Sequence, residues 1–204
     1  GLVIRTLYNP FYLVADNPSE GLAVSRDAIH KWAQTGSQVH HMWELWAAND
    51  IAIYERRGSQ AWVAVQDRWA SMVAALSLHV QFTNVSMLDL RGRSALAAMD
   101  ERAEDLLGET ERVARLIERE RTPWGDALAQ LLRAGVDVRR GNHDSARQRL
   151  ENAEQRFAAL EMNLHRATAQ RRLGDLTGGD EGQRLIAASE AWMRAEGIRN
   201  PERL

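Results

Sequence analysis

Cysteine is missing from this 204-residue chain, which excludes a disulfide framework and a thiolate zinc site. Proline is scarce: the four residues at 10, 18, 123 and 201 leave long stretches free of the residue that breaks helices. Lysine is represented by Lys31 alone among 26 basic residues. With abundant alanine, that bias reads as the coding habit of a GC-rich bacterial genome rather than a functional demand. No apolar run approaches the roughly 20 residues that cross a bilayer. A formal net charge of -2 removes the main electrostatic reason to expect nucleic acid or an anionic membrane as partner. The expectation left by these absences is a cytoplasmic protein.

What is present is unevenly distributed. Residues 1–99 carry 8 basic and 8 acidic groups and five of the seven tryptophans (Trp32, Trp43, Trp46, Trp62, Trp69), whereas 100–204 carry 18 basic and 20 acidic groups. An aromatic, charge-poor half is followed by a charge-laced half. The chain opens on Gly1-Leu-Val-Ile-Arg without Met or a secretory n-region, so it reads as a fragment of something longer.

Ala, Leu, Arg, Glu and Gln dominate between the prolines and β-branched alternation is scarce, which makes the fold all-α. Loops are placed by capping chemistry. Asn17-Pro18-Ser19-Glu20 separates two helices, and Thr122-Pro123 starts one. Thr35-Gly36-Ser37, Arg57-Gly58-Ser59, Arg140-Gly141-Asn142 and Thr177-Gly178-Gly179-Asp180 each place Gly at a helix C-cap. About nine or ten helices joined by short turns follow, hence antiparallel neighbours.

A repeat is visible. Ala28/Trp32, Val65/Trp69, Ala153/Phe157 and Ala188/Trp192 each set a small or β-branched residue four positions before an aromatic, and Val113/Ile117 fills the long gap. Positions i and i+4 share one helix face, so the small residue admits a neighbouring helix while the large one fills the space where the next pair stacks. Five helix pairs at a period of roughly 35–48 residues define an α-solenoid, a single domain over 1–204.

The unit at 127–160 carries the clearest pattern: Ala134 in its first helix, the turn Arg140-Gly141-Asn142-His143-Asp144, then Ala146, Leu150, Ala153 and Phe157. It resembles a tetratricopeptide repeat, which implies a right-handed superhelix of about five helix pairs. Residues 44–77 match at Tyr54 and Gly58 but depart at Val63 and Asp67, and 80–121 fit poorly, with Gly92 inside a would-be helix. The stretch Leu131 to Gly141, the segment Ala146 to Met162 and the ending Ala191 to Arg203 further resemble the C-terminal repeat regions of large bacterial signalling proteins. In those, a Ser/Thr protein kinase domain, often followed by an AAA or STAND-type ATPase, precedes the repeats. The resemblance therefore implies a kinase or ATPase parent and a regulatory or scaffold role for this fragment.

Chemistry is sparse by comparison. Gly178-Gly179-Asp180-Glu181-Gly182 lacks the Lys-Ser/Thr of a phosphate loop, and no kinase signature occurs. No His-x-x-x-His pair exists, and His40-His41 point about 100° apart on a helix. A metal site from His40 or His41 with Glu44 is weaker than a solvated reading, and His143 is expected to pack against the next helix. The charge run 109–121 reads as solvent-facing, salt-bridged helix surface. No catalytic residue, metal ligand or cofactor is assigned, and the fragment is not read as an enzyme.

The family's groove positions fall at Leu45, Ala48, Asn49, Ala52 and Arg56 in the second pair, at Leu131, Gly135 and Arg139 in the fourth, and at His165, Ala169 and Arg172 in the fifth. Trp46, on the flank of that face, is the aromatic expected to be exposed, whereas most of the tryptophans are expected in the core. The partner implied is a protein or peptide, or another domain of the same chain, with Arg56, Arg139 and Arg172 suited to an acidic peptide. A homo-oligomer stays open. The rival reading is a small-molecule sensor or enzyme with a pocket in the Trp-rich half.

Overall fold

The structure, a computed structural model, describes residues 10–32, 38–74, 79–101 and 106–204. Within them lie ten helices and no strand: α1 (Pro10–Val14), α2 (Pro18–Trp32), α3 (Gln38–Tyr54), α4 (Gly58–Ala74), α5 (Gln81–Ala98), α6 (Leu107–Arg119), α7 (Pro123–Arg139), α8 (His143–Ala159), α9 (Asn163–Thr177) and α10 (Gly179–Ala195). A short 3-10 turn, Pro201–Arg203, follows. The Gly36 turn lies outside the described residues.

Local signals account for the boundaries. The Gly125 amide donates to Thr122 Oγ1 (3.2 Å) at the start of α7, with Pro123 in the first turn. Asn17 caps α2, its Oδ1 accepting from the Glu20 amide at 3.4 Å. Gly141, Gly178 and Gly197 end helices with positive φ, as do Asp16, Arg56, Arg121 and Glu161, which have a Cβ and pay for it. The Arg57-Gly58-Ser59 turn differs from expectation: Arg56 takes the left-handed position, and Gly58 opens α4. The backbone of Ala97 is why Gly58 is glycine, since a Cβ there would sit 2.2 Å from its carbonyl oxygen. Gly92 has a similar cause. Helix α5 runs straight through it because a Cβ would meet Leu132 of α7 at 2.7 Å.

Each helix packs on the next in sequence, and α1, α3, α5 and α7 also touch along a second row, α1 on α3, α3 on α5 and α5 on α7. The even helices make no comparable contacts with one another among the described residues. Two layers result, and α1, α3, α5 and α7 form the row whose members touch one another. The repeat pairs all fall on the even layer. Ala28, Val65, Val113, Ile117, Ala153 and Phe157 are buried there, Trp69 is partly buried, and the Trp32 side chain lies outside the described residues. On α10 the register slips by one: Ser189 and Met193 take the buried positions, while Ala188 is exposed and Trp192 is half-buried.

The largest cluster sits between α5, α6, α7 and α8, with Val85, Leu88, Ile117, Leu128, Leu132 and Phe157 in it. Asp137 clips α7 to α8, accepting from Ser145 Oγ (2.7 Å) and Arg149 Nε (2.6 Å). Burial opposes its ionisation, but those two bonds together with the charges of Arg149 and Arg140 outweigh it and hold its carboxyl below the usual range. The two ends of the array meet. The Arg199 amide donates to the Val14 carbonyl (3.0 Å), and Leu204 packs both with Leu13, Ile51 and Tyr54 and with Met193 and Ile198.

Among the described residues no helix is long and apolar enough to cross a membrane.

Candidate functional site

Three aromatic rings line up across three successive inner helices. Phe82 of α5 lies 6.4 Å from Trp46 of α3 and 5.7 Å from Trp124 of α7, centroid to centroid, tilted by 37° and 38°. Phe82 is 57% exposed, which for so large an apolar ring is unusual enough to mark a surface. Trp46 and Trp124 are half-buried beside it.

Charge adjoins the rings at Asp50, which stands one turn beyond Trp46 on α3. Arg93 of α5 joins Asp50 to Asp89: its Nη1 is 3.0 Å from Asp50 Oδ1 and its Nε 2.7 Å from Asp89 Oδ2. The Asp50 and Asp89 side chains are recessed, at 14% and 12% exposure, while Arg93 keeps 38% of its side chain in contact with solvent. Burial pushes the Asp50 carboxyl above its ordinary range, with Arg93 only partly countering it. Burial also opposes the charge on Arg93, but the two carboxylates together outweigh it and hold its pKa above the usual value.

His165 of α9 sets its ring 5.1 Å from that of Phe157. Burial pushes its pKa down; Asp89 acts to raise it and Arg93 to lower it, so the residue is in electrostatic reach of the Asp–Arg set on α5.

The groove positions expected from the sequence are dispersed. Trp46 contributes a ring to the aromatic row, and His165 is in electrostatic reach of Asp89 and Arg93. Leu45 and Asn49 do not line an open face but sit in the core at 1% exposure, Asn49 donating to the Ala61 carbonyl (3.0 Å) and Ser94 Oγ (3.1 Å). Ala52 and Ala169 are buried too. The odd helices touching along their own row cover those faces and turn the surface one step round, to Trp46 and Asp50. Arg56 stands on the turn after α3, Arg139 pairs with Asp100, and Arg172 reaches Asp175 at 3.4 Å, so the three arginines do not converge. His143 is exposed at the start of α8 rather than packed. Glu44 pairs with Arg68 (2.5 Å) and His41 faces solvent; the His40 side chain lies outside the described residues. No three His, Asp or Glu among the described residues gather in a way that could hold a metal.

Sequence reading missed Phe82, Asp89 and Arg93, although their spacing of 7 and 4 puts all three on one helix face. Gly92 hid the helix that carries them.

The fold and this surface define an all-helical protein of consecutively packed antiparallel helices, compatible with a helical-repeat array. Comparison with known protein families, curated proteins and solved structures finds no match for this chain.

Proposed function

We propose that this chain is a tetratricopeptide-like interaction module that takes up a protein segment on the concave face of its odd helices. Phe82 carries the reading: a mostly exposed aromatic ring wedged between two tryptophans, next to recessed charged groups, has the apolar anchor and the polar orienting set of a binding hot spot. The resemblance of the last repeats to bacterial signalling proteins supports a regulatory or scaffold role beside a Ser/Thr kinase or ATPase domain. Peptides tiling the remainder of the parent protein test this by fluorescence anisotropy. At least one is expected to bind and to weaken tenfold or more on Phe82→Ala, with an unchanged melting temperature for the variant. A coding sequence without kinase or ATPase motifs upstream of Gly1 removes the parent assignment.

A second reading, small-molecule sensing, is favoured by one feature. A cleft of about 350 Å³ opens between α4, α5 and α6, walled by Trp69, Val73, Leu88 and Leu116, with Arg112 and Arg119 at its edge. An apolar carboxylate such as octanoate that quenches tryptophan emission and raises the melting temperature, both abolished by Leu88→Asn, would support it. Binding unaffected by that change would not.

A further inference from the structure

We infer that the segment taken up by the concave face is cationic: an arginine- or lysine-bearing stretch whose charge lies over Asp50 and Asp89 and whose apolar neighbours cover Phe82. This deepens the concave-face reading and rests on it; what it adds is the sign and chemistry of the partner.

Charge balance comes first. One guanidinium, Arg93, serves two carboxylates, and the charges that act on Asp50 and Arg93 are one another and Asp89. His165, in electrostatic reach of Asp89 and Arg93, has its proton affinity reduced by burial and adds no compensating charge at neutral pH. With both carboxylates ionised the recess holds one more negative charge than Arg93 compensates among the described residues; burial opposes that charge on Asp50, so an arriving cation relieves it and is attracted more strongly than at an open surface. An acidic segment meets the wrong sign here. The arginines that would receive one lie elsewhere, Arg139 on Asp100 and Arg172 on Asp175.

Ring geometry agrees with charge. Trp46 stands one turn before Asp50 on α3 and sets its ring against Phe82, so a cation over Asp50 comes close to aromatic rings and gains a cation–π contribution. The molecule uses the same chemistry on itself. Arg91 lies 5.1 Å from the Trp62 ring and 4.5 Å from the Trp69 ring while its Nε bonds Glu109 at 2.6 Å. Arg203 lies 5.6 Å from the Tyr54 ring, whose hydroxyl donates to Asp16 at 2.7 Å. Both set a guanidinium against an aromatic ring, and Arg91 adds a carboxylate partner. The concave face presents the same kinds of group, rings and carboxylates.

The test is a display selection of random 12-residue peptides on the whole 204-residue chain. Recovered sequences are synthesised with a fluorophore, and dissociation constants are measured on the wild type, on Phe82→Ala and on Asp50→Asn. Expected are peptides enriched in Arg or Lys beside apolar residues, weakened tenfold or more by Phe82→Ala, several-fold by Asp50→Asn, and further by added salt. Replacing the peptide's Arg by citrulline on the wild-type protein must give a comparable loss, which keeps the test independent of how Asp50→Asn folds. Recovered peptides that depend on Phe82 but carry no net positive charge, or that tolerate citrulline, overturn the charge assignment and leave the concave face standing. A selection that returns no Phe82-dependent peptide overturns the concave-face reading itself.

Discussion

Gly58 and Gly92 are glycines for packing reasons, and the atoms they face rank their importance. A Cβ on Gly58 meets backbone, the Ala97 carbonyl at 2.2 Å, whereas one on Gly92 meets the mobile tip of Leu132 at 2.7 Å. Chemical denaturation of Gly58→Ala is therefore expected to show a loss of about 3 kcal/mol or more, and Gly92→Ala a smaller one of about 1–2 kcal/mol. The reverse ranking contradicts these contacts. Glu161 presents the opposite case, a residue with a Cβ at φ 56 in the turn between α8 and α9. Glu161→Gly is expected to raise stability by up to about 1 kcal/mol in the same assay. His165 titrates with a defined sign. Burial lowers its folded pKa below the ordinary 6.5, so its contribution is complete above 6.5 and is lost as the pH falls below that toward the folded value. Melting temperature measured from pH 7.5 down to 5 should fall more steeply for the wild type than for His165→Gln.

The helices themselves were legible where their signals are local. The Thr122-Pro123 start, the Gly141 and Gly178 stops and the i, i+4 pairs that mark the even layer are all written within a turn or two of where they act. Helix α5 was obscured for a non-local reason, because Gly92 reads as a breaker until α7 is known to press against it. The slip on α10 is also tertiary: Met193 is drawn inward against Ala167 and Ile198, which leaves Trp192 half-buried at the edge. Trp46 was legible as an aromatic on the flank of α3, whereas the burial of Leu45 and Asn49 required knowing that α4 and α5 both pack on α3. Phe157 shows how strongly one such pair is used. It is fully buried in the cluster shared by α5, α6, α7 and α8. Phe157→Ala is expected to cost about 3–5 kcal/mol of stability, with a response on the scale of an exposed-site change contradicting the placement.

Across the whole molecule, the first and last helices are joined by the segment that follows α10. Leu204 belongs to both terminal clusters, Arg199 bonds Val14, and Arg203 covers the ring of Tyr54. Burial and the Asp16 carboxylate push the Tyr54 hydroxyl up to about 12 from 10.0, with Arg203 acting against the rise. Because the folded value is raised, this stabilisation is complete below pH 10 and fades between 10 and 12. An ultraviolet titration should find one tyrosine ionising late, and Leu204→Asp should bring its ionisation down while lengthening the distance between labels at residues 19 and 181. The aromatic row draws its rings from α3, α5 and α7, and His165 comes from α9. Hydrogen exchange with a selected cationic peptide bound tests the assignment of function most directly. Slowed exchange in α3, α5 and α7 around residues 46–50, 82–93 and 124, with α4, α6 and α8 unchanged, is the expected result; protection confined to the even helices would contradict it.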